Sequence, residues 1–271
     1  MTFMPSSFVV PASGRRRSLA VVLVSVTCAG VFCLSAARAE AMSFNVTFDS
    51  SVSGAPAGFL TAFNFEVQLL QGLFSDPIVI NVNVGWGEVA GHALSPGNLG
   101  QSQTNQQQYT YAQVRAAMQT DAKSANDATA VASLPATNPT TFAMSNAEAK
   151  ALGLLAGNAT ATDGFVGFNS SAPYTFDPNN RAVPGEWDFI GIAAHELTEV
   201  MGRYGWGQNG SGSRQSPIDL FRFSAPGVRN LQPTFGNKLA ERRRFFRIAF
   251  QERLKIGGLI QDEAIVRVLL Q

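Results

Sequence analysis

The sequence predicts an α+β fold, with a mixed sheet and one late helix that carries the reactive groups, on three observations. Phe44, Val46 and Phe48 alternate through Ser43–Phe48, and Ile78, Ile80, Val82 and Val84 alternate through residues 78–84, as half-buried strands do. Between them Leu60, Phe63, Val67, Leu70 and Phe74 recur at helical spacing over residues 57–74, and Asp76-Pro77 breaks the helix. Two strands joined by a long helix imply a parallel pair. Third, an apolar helix expected over residues 188–202 holds His195, Glu196 and Glu199.

The elements between follow from local pattern. Gly85-Trp86-Gly87 halts the second strand, and residues 91–108, rich in Gly, Ser, Asn and Gln, read as a polar loop. Helices are expected over residues 110–124 and 126–133. A third begins at Ser145, which makes a capping box with Glu148, and stops near Gly153. Gly164–Phe168 reads as a short strand, residues 174–176 as an edge strand and residues 177–180 as a turn. Asp188 is placed to cap the late helix.

The chain begins like an exported protein. Arg15-Arg16-Arg17 precedes an apolar stretch over residues 19–34, and Ala37-Arg38-Ala39 supplies small residues flanking one position. That order is a cleavable signal, residues 1–39, cut after Ala39 to give a secreted or extracytoplasmic product. The apolar stretch falls short of the ~20 residues that span a bilayer. Cys28 and Cys33 are the only cysteines, so the mature part has neither a disulfide nor a thiolate ligand. A net charge of +1 gives no reason to expect a nucleic-acid partner, and no second membrane-length segment follows. Residues 238–271 hold 8 of the 20 basic residues, which separates them as an atypical basic tail from a domain at residues 40–237.

The late helix carries the chemistry. His195 and Glu199, at i and i+4, share a face and can converge on one point. Imidazole nitrogen and carboxylate oxygen both suit Zn²⁺. Glu196 is rotated about 100° from His195 and can address a water on that ion as general base. The arrangement is HExxH with its second histidine replaced by glutamate. Ile190, Ile192, Ala193, Ala194, Leu197, Val200 and Met201 make the helix apolar around most of its circumference, so burial is expected. A dication would offset the charges that such burial strands. The plain alternative is a surface His–Glu pair with Glu199 solvated.

The run from Ala194 to Arg203, followed by Asp219-Leu220-Phe221-Arg222-Phe223-Ser224-Ala225-Pro226-Gly227, resembles a family of exported bacterial metalloprotease-like proteins, many ending in a PEP-CTERM sorting signal. Residues 84–89 and 163–168 are similar to that family too, so the resemblance covers roughly residues 43–236. It implies a zincin-like fold and a zinc peptidase, with His195 and Glu199 as ligands and Glu196 as catalytic base. The basic tail departs from the family, as a frameshifted or divergent end would.

A catalytic zinc usually takes three protein ligands. Asp219, acidic within an apolar, strand-like run, is the expected third, and His92 in the polar loop is the alternative. Arg203 or Tyr204, just past the helix, is the expected oxyanion stabiliser. The expected partner is a peptide or protein substrate. Two rivals stand beside this reading: an inert zincin-fold binding or surface-structural protein, and a truncated or frameshifted family member.

Overall fold

The computed structural model describes residues 41–204, 214–225 and 228–229. The expected signal and its cut and the basic tail lie outside the described residues. In chain order the elements are β1 (Ser43–Phe48), a 3-10 turn, α1 (Phe59–Leu73), β2 (Val79–Trp86), β3 (Glu88–Val89), β4 (His92–Ala93), β5 (Gly100–Thr104), β6 (Gln106–Thr110), α2 (Tyr111–Asp121) and α3 (Ala125–Ala132). Then come β7 (Thr141–Ser145), α4 (Asn146–Ala151), β8 (Gly164–Phe168), β9 (Tyr174–Thr175), β10 (Trp187–Asp188), α5 (Phe189–Val200), β11 (Arg214–Gln215), a 3-10 helix over Pro217–Phe221, β12 (Phe223–Ala225) and β13 (Val228–Arg229). The fold is α+β. Among the described residues no helix is long and apolar enough to cross a membrane.

The principal sheet is mixed, in the order β1-β2-β8-β5. β1 and β2 are parallel in the register Phe44↔Ile80 and Val46↔Val82, as the helical crossover requires. β8 adds parallel to β2, and β5 closes the sheet antiparallel to β8, Ser102 opposite Val166. Aromatic rings from α1, α5 and the sheet itself meet in its core. Phe189 of α5 lies 4.8 Å from Phe168 of β8 and 5.2 Å from Phe59 of α1, and all three are fully buried. Each such side chain contributes roughly 1.5–3 kcal/mol of apolar transfer energy, and together they press α5 onto the sheet. A second core gathers Tyr111, Val114, Met118, Phe142, Met144 and Leu220 around a three-stranded sheet ordered β11-β7-β6.

Three expectations need correction. The segment expected as a polar loop, residues 91–108, contains β4, β5 and the start of β6. Its Gln, Ser and Thr residues hid strands whose stability comes from pairing with β8 and β7 rather than from apolar alternation. Asp188 occupies the N-cap position of α5 but makes no capping hydrogen bond, because Arg181 Nε donates to its carboxylate at 2.9 Å. The run around Asp219 is a 3-10 helix, not a strand.

A buried ion pair ties the parallel strands together. Lys150 Nζ, on α4, donates to Asp163 Oδ2 at 2.7 Å and to the carbonyls of Val79 and Ala159 at 2.8 and 3.0 Å. Asn81 N of β2 donates to the same Asp163 oxygen. Both charged side chains are only 1% exposed.

Candidate metal centre

Helix α5 turns one flank inward and leaves the other open. Phe189, Ile190, Ala193, Leu197 and Val200 enter the first core, which rotates Ile192, His195 and Glu199 toward a cleft of about 540 Å³. The opposite wall is the edge strand β5 and the turn before it, residues 97–102. Burial of the whole helix was the expectation from its composition, and the structure differs. The His195 and Glu199 side chains stay 42% and 29% exposed, whereas Glu196 is buried.

One potential ligand atom from each of His195, Glu196 and Glu199 lies within 4.8 Å of the others. His195 Nε2 and Glu199 Oε1 are 3.1 Å apart. That separation is a hydrogen bond when Nε2 carries a proton. It also suits two ligands of one tetrahedral ion, whose bonds of about 2.0–2.1 Å space its ligand atoms roughly 3.3 Å apart.

The two glutamates sit in opposed electrostatic settings. Burial, followed by the charge of Glu199, pushes the Glu196 carboxyl up to about 8, with Arg203 working the other way. Burial also opposes the Glu199 charge, but His195, Ser102 and Arg203 outweigh it and hold Glu199 below the usual carboxylate range. Neighbouring acids whose pKa values are driven apart are suited to different roles, one to exchange a proton and one to remain an anion.

Strand β5 supplies two contacts missed by sequence reasoning. Ser102 Oγ donates to Glu199 Oε2 at 2.6 Å, and Thr104 Oγ1 donates to the Glu199 carbonyl at 3.3 Å. Gly100 leaves room for Glu196: a Cβ there would lie 2.7 Å from Glu196 Oε1. A signal was present in the alternation of Gly100, Ser102 and Thr104 with Gln101 and Gln103, which puts the small residues on one face of a strand.

Asp219 does not join the cluster. Its carboxylate accepts from Ser216 N at 3.0 Å within a capping box and pairs with Arg222 at 3.2 Å, so the buried acid is used locally. His92 is exposed on β4 and is also outside the cluster. Among the described residues no His, Cys, Asp or Glu beyond the α5 trio completes the group.

Neither expected oxyanion stabiliser lines the cleft. Arg203 folds back along α5, where Nη2 donates to the His195 carbonyl at 2.9 Å and Nε to Thr198 Oγ1 at 2.7 Å. It braces the end of the helix that carries His195 and Glu199. Tyr204 points to the second sheet, its hydroxyl 3.5 Å from the Ala143 carbonyl, and burial raises its pKa. Gly202 has a local reason of its own. It turns the chain off α5 at φ 113, and a Cβ there would lie 2.9 Å from the buried Glu148 Oε2.

Comparison of the chain with protein-family models, with curated proteins and with solved structures finds no match.

Proposed function

We propose that the chain is an exported, zinc-dependent peptidase of zincin-like fold, related to the metalloprotease-like family it resembles, with His195 and Glu199 as metal ligands and Glu196 as general base. The observation that carries this reading is the convergence of His195 Nε2 and Glu199 Oε1 at 3.1 Å over an open cleft, with a buried carboxyl beside them. A zinc ion bound there supplies Lewis acidity toward a carbonyl group and a water. Glu196 takes and returns the proton. Its carboxyl, held at about 8 with no metal ion beside it, falls beside a dication into the range where it accepts a proton at neutral pH. Among the described residues β5 ends the sheet order along the cleft, and an extended peptide adds to that edge through main-chain hydrogen bonds. The substrate class that follows is a polypeptide in extended form.

A second reading rests on the short ligand list. Glu196 lies within ligand reach of the other two, and if it coordinates the ion instead of serving as base, no general base remains beside the ion and the centre is an inert metal site on a binding protein. Hydrolysis separates the two. The peptidase reading expects the zinc-loaded mature chain to cleave a broad peptide mixture, to stop when a chelator removes the metal, and to resume when zinc is returned. A chain that holds zinc and cleaves nothing in that mixture favours the binding protein.

A further inference from the structure

The face of β5 that looks onto α5 is matched to the helix residue by residue. Gly100 lies under Glu196, Ser102 reaches the Glu199 carboxylate, and Thr104 reaches the Glu199 main chain. Alternate strand residues stand about 6.6–6.8 Å apart and one helical turn rises 5.4 Å, so Gly100 and Ser102 meet Glu196 and Glu199, nearly one turn apart on α5, and Thr104 reaches the end of the same turn. The Glu199 carboxylate is divided by this arrangement. Oε2 accepts from Ser102 at 2.6 Å, while Oε1 faces His195 Nε2 at 3.1 Å, with Arg203 at 3.8 Å.

We propose that the Ser102 hydroxyl fixes which oxygen of Glu199 is presented to the metal ion, making Ser102 a positioning residue of the centre. The inference rests on the reading of His195 and Glu199 as ligands. The Glu199 side chain has a partly exposed carboxylate and several rotatable bonds, and without a partner on Oε2 it can swing toward the cleft water. A charge-assisted hydrogen bond from a strand locked in register with β8 removes that freedom before the ion arrives. Groups of this kind, which orient a ligand without touching the ion, typically change metal affinity by 10–100-fold. Ser102 also lines the cleft, so contact with substrate is the competing role.

The test is a zinc competition titration on the metal-free mature chain, run beside chemical unfolding of the same samples. Ser102→Ala is expected to bind zinc roughly 10–100-fold more weakly while the metal-free chain still unfolds in one cooperative transition. Ser102→Thr, which keeps the hydroxyl, is expected to restore the parent's affinity. If Ser102→Ala binds zinc as tightly as the parent, or Ser102→Thr binds no better than Ser102→Ala, the positioning role is wrong. A raised KM at unchanged zinc affinity would likewise overturn it, in favour of substrate contact. Should the parent bind zinc no better than His195→Ala, the metal-site reading falls and this role falls with it, an outcome distinct from failure at Ser102 alone.

Discussion

Glu196→Gln is expected to keep zinc bound and to lower peptide hydrolysis by roughly 10²–10⁴-fold, the usual scale of general-base catalysis. The substitution keeps the shape of a buried side chain and removes only its capacity to exchange a proton. It carries a second signature in the metal-free protein. The folded pKa of Glu196 stands at about 8, above an unfolded value near 4.5, so the folded state holds a proton that the unfolded chain releases. The stability from this group is complete below about pH 4.5 and is lost as pH rises to about 8, at up to about 1.4 kcal/mol per pH unit. Glu148, fully buried and also pushed up to about 8, adds a slope of the same sign. Urea unfolding between pH 5 and 9 should therefore show the parent losing stability with rising pH, and Glu196→Gln losing less. If the variant loses its zinc, Glu196 is a ligand and the inert-site reading gains.

Lys150→Met is expected to destabilise the domain by about 3–5 kcal/mol, because it leaves the Asp163 charge buried without its ammonium. Two factors put the effect at the upper end. Asp163 Oδ1 already lacks a hydrogen-bond partner, and at the same moment the Val79 carbonyl loses the lysine donor and the Ala159 carbonyl keeps only Asn81 Nδ2. Replacing the pair together, Lys150→Met with Asp163→Leu, should recover much of the loss, since two apolar groups of similar volume carry no stranded charge. Unfolding midpoints of the parent, the single variant and the double variant measure both effects. A single variant as stable as the parent would mean that the pair is hydrated in solution.

The sequence was most informative where periodicity and helical spacing carry the information. Alternation located β1 and β2, a short apolar run bounded by glycine located β8, and the crossover argument gave the parallel β1–β2 pair. The i, i+4 spacing brought His195 and Glu199 together because both belong to one rigid helix. Contacts between distant segments were not legible. Ser102 meets Glu199 only because β5 pairs with β8 under α5, and nothing in a Gln-rich pentapeptide reports that pairing. Asp219 failed for a related reason: an acid in an apolar run signals burial, but the nearby Ser216 and Arg222 satisfy it without an ion. Arg203 and Tyr204 lie next to the site in sequence, yet the turn at Gly202 sends Tyr204 toward the second sheet while Arg203 folds back on α5.

The most direct test of the central claim is the zinc stoichiometry and affinity of the purified mature chain beside His195→Ala. The account predicts one tightly bound equivalent in the parent and its loss in the variant, since removing the imidazole leaves the Glu199 carboxylate without the partner now 3.1 Å away. A parent that binds no zinc, or a His195→Ala variant that binds it equally well, would contradict the assignment of a metal centre to α5.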